Sequence, residues 1–441
     1  MIIGLGSSGY ASAAFLAQKG AMIKVTDEGR DPDMRERAEM LKKYPVQIET
    51  GKHTKDFCAG ADIIVVSPGA DIRSRELSTV LPADVPVIGE LELGFMFCRA
   101  PVVAVTGTNG KSTTTELIGN ILSVSGRHVV TCGNIGPPFI SKVEELDVNS
   151  VAVVEVSSFQ LETVKRFKPQ IAVLLNITED HYERHHTYDD YKNEKLRIFA
   201  NQDKNDWAVV HRDLQGNELL NRVRSNVVFF SHNTGPAVIE DGRIVYKSPG
   251  GPVVIMNTSE VPIKGGHNME NVMSSIIVSR IMGASLADIR KGIMGFRGLE
   301  HRFESVLIRN GVEYIDDSKA TNIDATRRAL ESLDTKAVLI AGGRDKGGDY
   351  SSILPLVKEK VKAMVVIGEA REKIKKVFAG SVPVITVNTM KEAVRLASTE
   401  SDTGDVVLLS PMCSSFDMFS NYKERGALFQ REIAECSDSG L

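Results

Sequence analysis

Cysteine is scarce and dispersed. The five residues Cys58, Cys98, Cys132, Cys413 and Cys436 include no C-x-x-C pair, and an odd, scattered set in a chain of 441 residues reads as reduced thiols. No apolar run approaches the length needed to span a membrane. No signal peptide precedes the first strand, so a cytoplasmic protein is expected. An excess of one charge is missing too: a net charge of -4 offers no electrostatic case for nucleic acid or a membrane surface as a partner. Internal repeats and low-complexity segments are absent from the chain. The balance of 42% hydrophobic and 25% charged residues is that of a soluble globular protein. The length suits about two to four domains.

What is present is alternation. Short β-branched runs ("PVVAVTG", "VAVVEVS", "IAVLLNI", "KAVLIAGG", "AMVVIG", "DVVLLSP") recur between helical stretches, which implies parallel sheets with crossover helices. Two seams interrupt the pattern, "FMFCRAP" and "GFRGLEHRF". They divide the chain into three α/β units, residues 1–99, 100–299 and 300–441.

The first unit opens "MIIGLGSSGY", a strand followed by Gly4, Gly6 and Gly9 in G-x-G-x-x-G spacing, with Asp27 at the end of the second strand "AMIKVTD". That is the fingerprint of a dinucleotide site. The strand before the first glycine is short, which leaves open a natural start slightly upstream. The second unit opens "VVAVTGTNGKSTTTELIGNIL". Here a buried-type strand turns through Gly107, Thr108, Asn109 and Gly110 into a helix beginning near Lys111. Backbone N–H groups and a helix N-terminus worth roughly half a positive charge make an anion site. Lys111 is placed to reach terminal phosphates, and Ser112 or Thr113 to hold Mg²⁺. Val105 stands where the common phosphate loop has another glycine, so the match is to a shorter variant.

Glu155 ends the strand in "VAVVEVSSFQLE", a place suited to the Mg²⁺ of MgATP or to a lone polar residue. Ser157, Ser158 and Gln160 follow in the turn and offer hydrogen bonds to a substrate. "LLNITEDHYERHH" repeats the design with Asn176, Thr178, Asp180 and His181. His181, His185 and His186 invite a zinc reading, but H-E-x-x-H spacing and nearby cysteine are both missing, and His181 beside a Mg²⁺ cluster is the better reading. Lys195, in the helix "YDDYKNEKLRIFAN", reads by pattern as solvated surface. The glycine turn alone would suit a nicotinamide-dependent oxidoreductase, but that leaves the ATP loop unexplained. A regulatory ATP-binding switch without chemistry leaves the acid and histidine cluster unexplained.

The stretches "GTNGKST", "EVSSFQLE", "NITEDH", "YKNEKLRIF", "GGHNMEN", "GLEHRFE" and "DDSKATN" occur in this order, and together they resemble the Mur ligases of peptidoglycan synthesis. "SSFQLE" and "DDSKATN" resemble the D-glutamate-adding branch, and "DDSKATN" argues against other Mur ligases and folylpolyglutamate synthases. The resemblance covers all three units. It implies an α/β chain of three domains: N-terminal Rossmann-like, a central parallel sheet of the P-loop ATPase type, and C-terminal Rossmann-like. It implies a reaction in which ATP phosphorylates the carboxylate of UDP-N-acetylmuramoyl-L-alanine and the amine of D-glutamate attacks the acyl phosphate. A monomer is expected.

Residue roles implied by the resemblance are these. Ser7, Ser8, Asp27, Gly69, Asn134, Ser158 and Gln160 would meet the UDP substrate. The family's Thr-Arg after the strand-end Asp is replaced by Glu28 and Gly29, with Arg30 next, so the uridine edge departs from the family pattern. Gly107 to Thr113, Asn268, Asn271, Arg302 and Asp317 would bind ATP, with His267 equally apt as a structural residue. Ser112 and Glu155 would hold one Mg²⁺. His181 and Lys195 would hold a second, with Lys195 converted by CO₂ to a carbamate. Lys111, His181 and Lys195 would be catalytic. Lys319, Thr321, Lys346, Ser415, Phe416 and Tyr422 would surround D-glutamate. Lys346 is also apt by chemistry alone, since a dicarboxylate acceptor needs a cation.

Overall fold

A computed structural model describes residues 1–29, 32–181 and 184–436. Arg30 lies outside the described residues. Strands β1 (Ile2–Ile3), β2 (Ile23–Asp27), β3 (Val46–Thr50), β4 (Ile64–Val66) and β5 (Val87–Gly89) form a parallel sheet in the order β3-β2-β1-β4-β5. The order reverses at β1, which puts the glycine turn after β1 at the crevice where such sheets bind ligands. Gly9 is required there: a Cβ would fall 1.9 Å from the Gly4 carbonyl oxygen.

The central sheet holds β6 (Val102–Thr106), β7 (Val129–Gly133), β8 (Val151–Glu155), β9 (Ile171–Leu174), β10 (Trp207–His211) and β11 (Asn226–Phe230), all parallel, in the order β11-β10-β9-β6-β8-β7. Its switch point is β6, the strand that feeds the phosphate loop. Both faces are buried, so the strands read as continuous apolar runs rather than alternating ones. Val102 and Ala104 pack into one core and Val103 and Val105 into another. The first of these cores is continuous with Ile2, Leu5 and Phe15 of the N-terminal sheet, joined through Leu91 and Leu93 of the helix Glu90–Phe97 and through Phe139. Two domains therefore share one apolar core.

An antiparallel meander, β12 (Ala237–Glu240), β13 (Arg243–Ser248) and β14 (Gly251–Asn257), follows the central sheet. The alternation of runs and helices does not foresee it. Turns at Asp241–Gly242 and Pro249–Gly250 reverse the chain, and both Asp241 and Gly242 take positive φ.

The last sheet contains β15 (Glu304–Arg309), β16 (Val312–Asp316), β17 (Ala337–Gly342), β18 (Val361–Ile367), β19 (Val384–Thr386) and β20 (Val406–Leu409), ordered β15-β16-β20-β17-β18-β19. It is parallel except for β15, which pairs antiparallel with β16 through a tight turn at Asn310–Gly311. Because β20 inserts between β16 and β17, the loops leaving these three strands are neighbours. This domain has its own two cores. Among the described residues, no helix is long and apolar enough to cross a membrane.

Candidate active site

Three crevices lie among the loops that leave the strands of the three sheets. The first lies above the N-terminal sheet, a cavity of about 560 Å³ lined by Ser7, Ser8, Asp27, Gly69, Asn134 and Gln160, among others. The helix Ser7–Gln18 starts there with Gly6 as its N-cap and no side-chain cap, so its first N–H groups face the cavity mouth. Asp27 is partly engaged at home: its carboxylate accepts from the Leu5 and Gly29 N–H groups, bracing the glycine turn. Glu28 and His53 also line the cavity. Ser158 does not line it. That side chain is buried and its Oγ lies 3.0 Å from His185 Nε2.

The phosphate loop follows β6. Gly107 and Gly110 take φ of +156° and +85°, backbone that β-carbon-bearing residues rarely adopt. A Cβ on Gly110 would also strike Asn271 Oδ1 at 2.3 Å. The helix Lys111–Val124 begins directly after it. Lys111 folds back and donates to the Gly107 and Thr108 carbonyls, at 2.9 and 2.7 Å. Burial lowers its pKa, partly offset by the charges of Glu155 and Asp180. Ser112 Oγ accepts from Arg302 of the C-terminal domain at 2.6 Å.

Glu155 pairs in register with Val105, which sets its carboxylate beside the loop. One oxygen accepts from Asn134 Nδ2 at 2.8 Å; the other, Oε2, is buried with no hydrogen-bond partner. An orphaned carboxylate oxygen next to a phosphate loop and a serine hydroxyl suits a hard divalent cation. His181 stands at φ +58°, and its ring lies 6.2 Å from that of Tyr191. Lys195 Nζ lies 4.5 Å from the centre of the same ring and donates to the Gly107 carbonyl at 2.8 Å. Lys195 is buried, not solvated. It shares a face with Tyr191 at i,i+4 in the helix Tyr188–Leu196, and that face packs inward. Burial, then the charge of Lys111, lowers the Lys195 pKa well below its ordinary value.

The second crevice, about 70 Å³, lies between the central and C-terminal domains. Asn109, Gly110, Thr113, Asn268, Asn271, Arg302 and Asp317 converge on it. Gly107, Thr108, Lys111 and Ser112 lie behind it in the loop and helix start. Asn271 donates to Asn268 Oδ1, which locks both amides on the helix Gly266–Ile281. His267 is there too, and burial depresses its pKa to about 4, so it is neutral. Burial raises Asp317 to about 7. The crevice also gathers Arg328, which has no motif signal in the sequence.

The third crevice, about 540 Å³, gathers Lys319, Thr321, Lys346, Ser415, Phe416 and Tyr422, together with His181 and Phe159 of the central domain. Lys319 lies 4.1 Å over the Tyr422 ring, and burial with Arg302 nearby lowers its pKa to about 7. Lys346 reaches across the seam to Asp180 at 3.4 Å. Arg344 adds a cation that sequence reasoning missed, because its strand-end position is visible only once β17 and β20 are adjacent.

The chain matches the Mur ligase MurD-like N-terminal domain over residues 1–89, the Mur ligase middle domain over 105–279, and the Mur ligase glutamate ligase domain over 301–413. It is 40% identical to the UDP-N-acetylmuramoylalanine–D-glutamate ligase of Koribacter versatilis, covering 99% of this chain and 97% of that protein. The enzyme of the same name from Acidobacterium capsulatum is 41% identical over 98% of this chain and 95% of its own. In fold the chain is similar to MurF of Acinetobacter baumannii, with a TM-score of 0.64 at 18% identity, covering 98% and 93% of the two chains. It is also similar to UDP-N-acetylmuramate-alanine ligase of Thermotoga maritima, with a TM-score of 0.62 at 18% identity and 99% of each chain. With all three family domains in order, and such identity sustained over nearly the whole length, the chain belongs to the Mur ligase family.

Proposed function

We propose that this ligase joins D-glutamate to the alanine carboxylate of UDP-N-acetylmuramoyl-L-alanine, with cleavage of ATP to ADP and phosphate, in peptidoglycan precursor synthesis. The observation that carries the reading is the third crevice: three basic side chains, Lys319, Arg344 and Lys346, line a cavity shared with His181. A dicarboxylate amino acid suits that charge. Relatives bearing the D-glutamate ligase name over their whole length support the same acceptor.

The substrate carboxylate and the triphosphate repel each other, so the site must supply positive charge where they meet. Lys111 and the N-terminus of its helix serve the terminal phosphates. Attack of the carboxylate on the γ-phosphorus releases ADP and leaves an acyl phosphate. The acceptor amine then adds to that carbonyl, and the tetrahedral adduct expels phosphate to give the amide. Asn268 and Asn271 sit toward the adenine; Arg302 and Asp317 close over the nucleotide from the C-terminal domain. Ser7, Ser8, Gly69, Asn134 and Gln160 hold the UDP substrate.

Ser112 and Glu155 would hold one Mg²⁺, and the orphaned Glu155 oxygen fits that role. His181 and Lys195 would hold a second, Lys195 as a carbamate. Mg²⁺ supplies charge neutralisation at the phosphates. We read the protein as a cytoplasmic monomer with no nucleic-acid or membrane partner; its five unpaired thiols suit a reducing compartment. We take the domain limits as 1–99, 100–299 and 300–441. ADP release measured with UDP-N-acetylmuramoyl-L-alanine and a panel of D- and L-amino acids tests the reading. D-glutamate should support turnover and L-glutamate should not. Turnover with a different acceptor, or with none, would overturn it.

A further inference from the structure

The helix Tyr422–Glu435 carries the largest fully buried side chain among the described residues, Arg425. A guanidinium seldom goes inside a protein without a carboxylate partner. The hydrogen-bond partners of Arg425 are all neutral oxygens; Asp316, Asp317 and Asp417 act on it through charge alone. Nε donates to Ser318 Oγ at 3.0 Å and Nη2 to the Ser318 carbonyl at 2.8 Å. Nη1 is shared between the carbonyls of Cys413 and Ser414, at 3.2 and 3.3 Å. The two groups of oxygens belong to different loops, one leaving β16 and one leaving β20.

Those loops are the walls of the third crevice. Ser318 sits between Asp317 and Lys319; Ser414 precedes Ser415 and Phe416. A third wall, leaving β17, is pinned to the second: Arg344 N donates to the Ser414 carbonyl at 2.9 Å. Gly343 allows that approach, since a Cβ there would fall 2.3 Å from the Ser414 oxygen and 3.1 Å from Arg425 Nη1. One planar fork thus bridges the loops leaving β16 and β20, and the β17 loop is tied to the second of them by the Arg344–Ser414 bond; Arg425 does this from behind the cavity, without lining it. Strand-end loops have few ladder bonds of their own, so a rigid donor set behind them fixes their spacing. Burial lowers the Arg425 pKa to about 10, which leaves it charged at neutral pH.

We propose that Arg425 is a positioning residue that sets the spacing of the Ser318 and Ser414 loops and thereby the affinity for the acceptor amino acid. The proposal rests on the acceptor reading of the third crevice given above. Lysine cannot replace it, because a single ammonium cannot span both loops as the fork does.

The test measures ligase activity of the full chain, with wild type in parallel. Wild-type turnover with D-glutamate checks the acceptor reading on its own. Arg425→Ala should raise the KM for D-glutamate by about tenfold or more, the loss of charge-assisted bonds that set its pocket, while kcat and the KM for the UDP substrate change by less than about threefold. Added methylguanidinium should lower the raised KM again by refilling the vacated space; a variant that is merely unstable would lose activity in that additive. Arg425→Lys should keep a raised KM. An unchanged KM for D-glutamate in Arg425→Ala overturns the proposal, and so does equal loss of affinity for all three substrates. Should Arg425→Ala fail to give a cooperative melt, Arg425→Lys decides. A folded Lys variant with raised acceptor KM alone supports the proposal, and one that has wild-type KM or does not fold overturns it.

Discussion

Lys195 shows how far one residue can depart from its local pattern. Its helix is strongly polar, yet Tyr191 and Lys195 turn inward and Nζ rests over an aromatic ring beside the phosphate loop. Burial and the Lys111 charge favour its neutral amine, the form that reacts with CO₂. Activity is expected to fall in CO₂-stripped buffer at mildly acidic pH and to return with bicarbonate. Lys195→Arg should lose at least about a hundredfold in kcat in either buffer, because it keeps a cation where the proposed carbamate would supply an anion. Near-normal turnover of that variant, read in the same ADP assay, would remove the carbamate. A second buried group has a different consequence. Glu90 accepts from Ile140 N at 2.7 Å, but its other oxygen has no partner, and burial raises its pKa from 4.5 to about 7. An acid with a higher pKa folded than unfolded binds more protons in the native state. Its contribution is therefore fullest below the unfolded value of 4.5 and is lost as pH rises through about 7. At one unit per 1.36 kcal/mol the loss is about 3 kcal/mol. Glu90→Gln cannot ionise, so its Tm should fall less than that of wild type between about pH 5 and pH 8. Parallel Tm curves would refute this account.

At the scale of elements, the helix Ile323–Glu331 of the C-terminal domain acts as a latch on the phosphate loop. Asp324 accepts from Asn109 Nδ2 at 2.8 Å and from Thr178 Oγ1 at 3.2 Å, both in the central domain. Arg328 pairs with Asp324 and reaches Glu270 at 3.1 Å on the helix Gly266–Ile281. The bonds are charge-assisted and largely buried, worth about 1.5–3 kcal/mol each. With ATP placed in the second crevice and the UDP substrate in the first, as proposed, Asp324→Ala should raise the KM for ATP about tenfold, with a smaller effect on the UDP substrate. Steady-state kinetics with each substrate varied in turn is the check, and an unaltered KM for ATP would show that the latch contributes nothing. No motif marks Asp324 or Arg328. They look like ordinary polar residues of a surface helix, and only the partner surface gives them a role.

At the scale of the whole molecule, the three domains are not equally joined. The first two share an apolar core through Leu91, Leu93 and Phe139, whereas the third has its own cores and meets the others largely through polar pairs. Residues 296–303 link it to the central domain, and His301 and Phe303 take positive φ there, at 63° and 48°. The second crevice, at about 70 Å³, is smaller than the several hundred Å³ of a ligand pocket. On the proposed reading that ATP binds there, the C-terminal domain is expected to swing away for entry and to return for the chemistry. Small-angle scattering is expected to give a smaller radius of gyration with a non-hydrolysable ATP analogue and UDP substrate than without ligands. Superimposable profiles at saturation would count against the swing.

The alternating runs, the glycine spacings and the ordered motifs were sufficient to read the three α/β domains, the phosphate loop and the family, because each depends on local chemistry: backbone that only glycine tolerates, strands buried on both faces, a lysine at a helix start. The meander β12–β14 and the antiparallel β15 escaped that reading, since short strands in either direction have the same composition. Convergence was a different matter. That Arg302 meets Ser112, that Lys346 meets Asp180, and that Ser158 turns to His185 instead of the first cavity depend on how separate sheets pack. So do the burial of Lys195 and the fork of Arg425 across loops whose strands lie far apart in sequence. Local sequence carries backbone geometry and periodicity. The distance between two side chains on different domains is set by the sum of all the packing between them, and only the tertiary structure holds that sum.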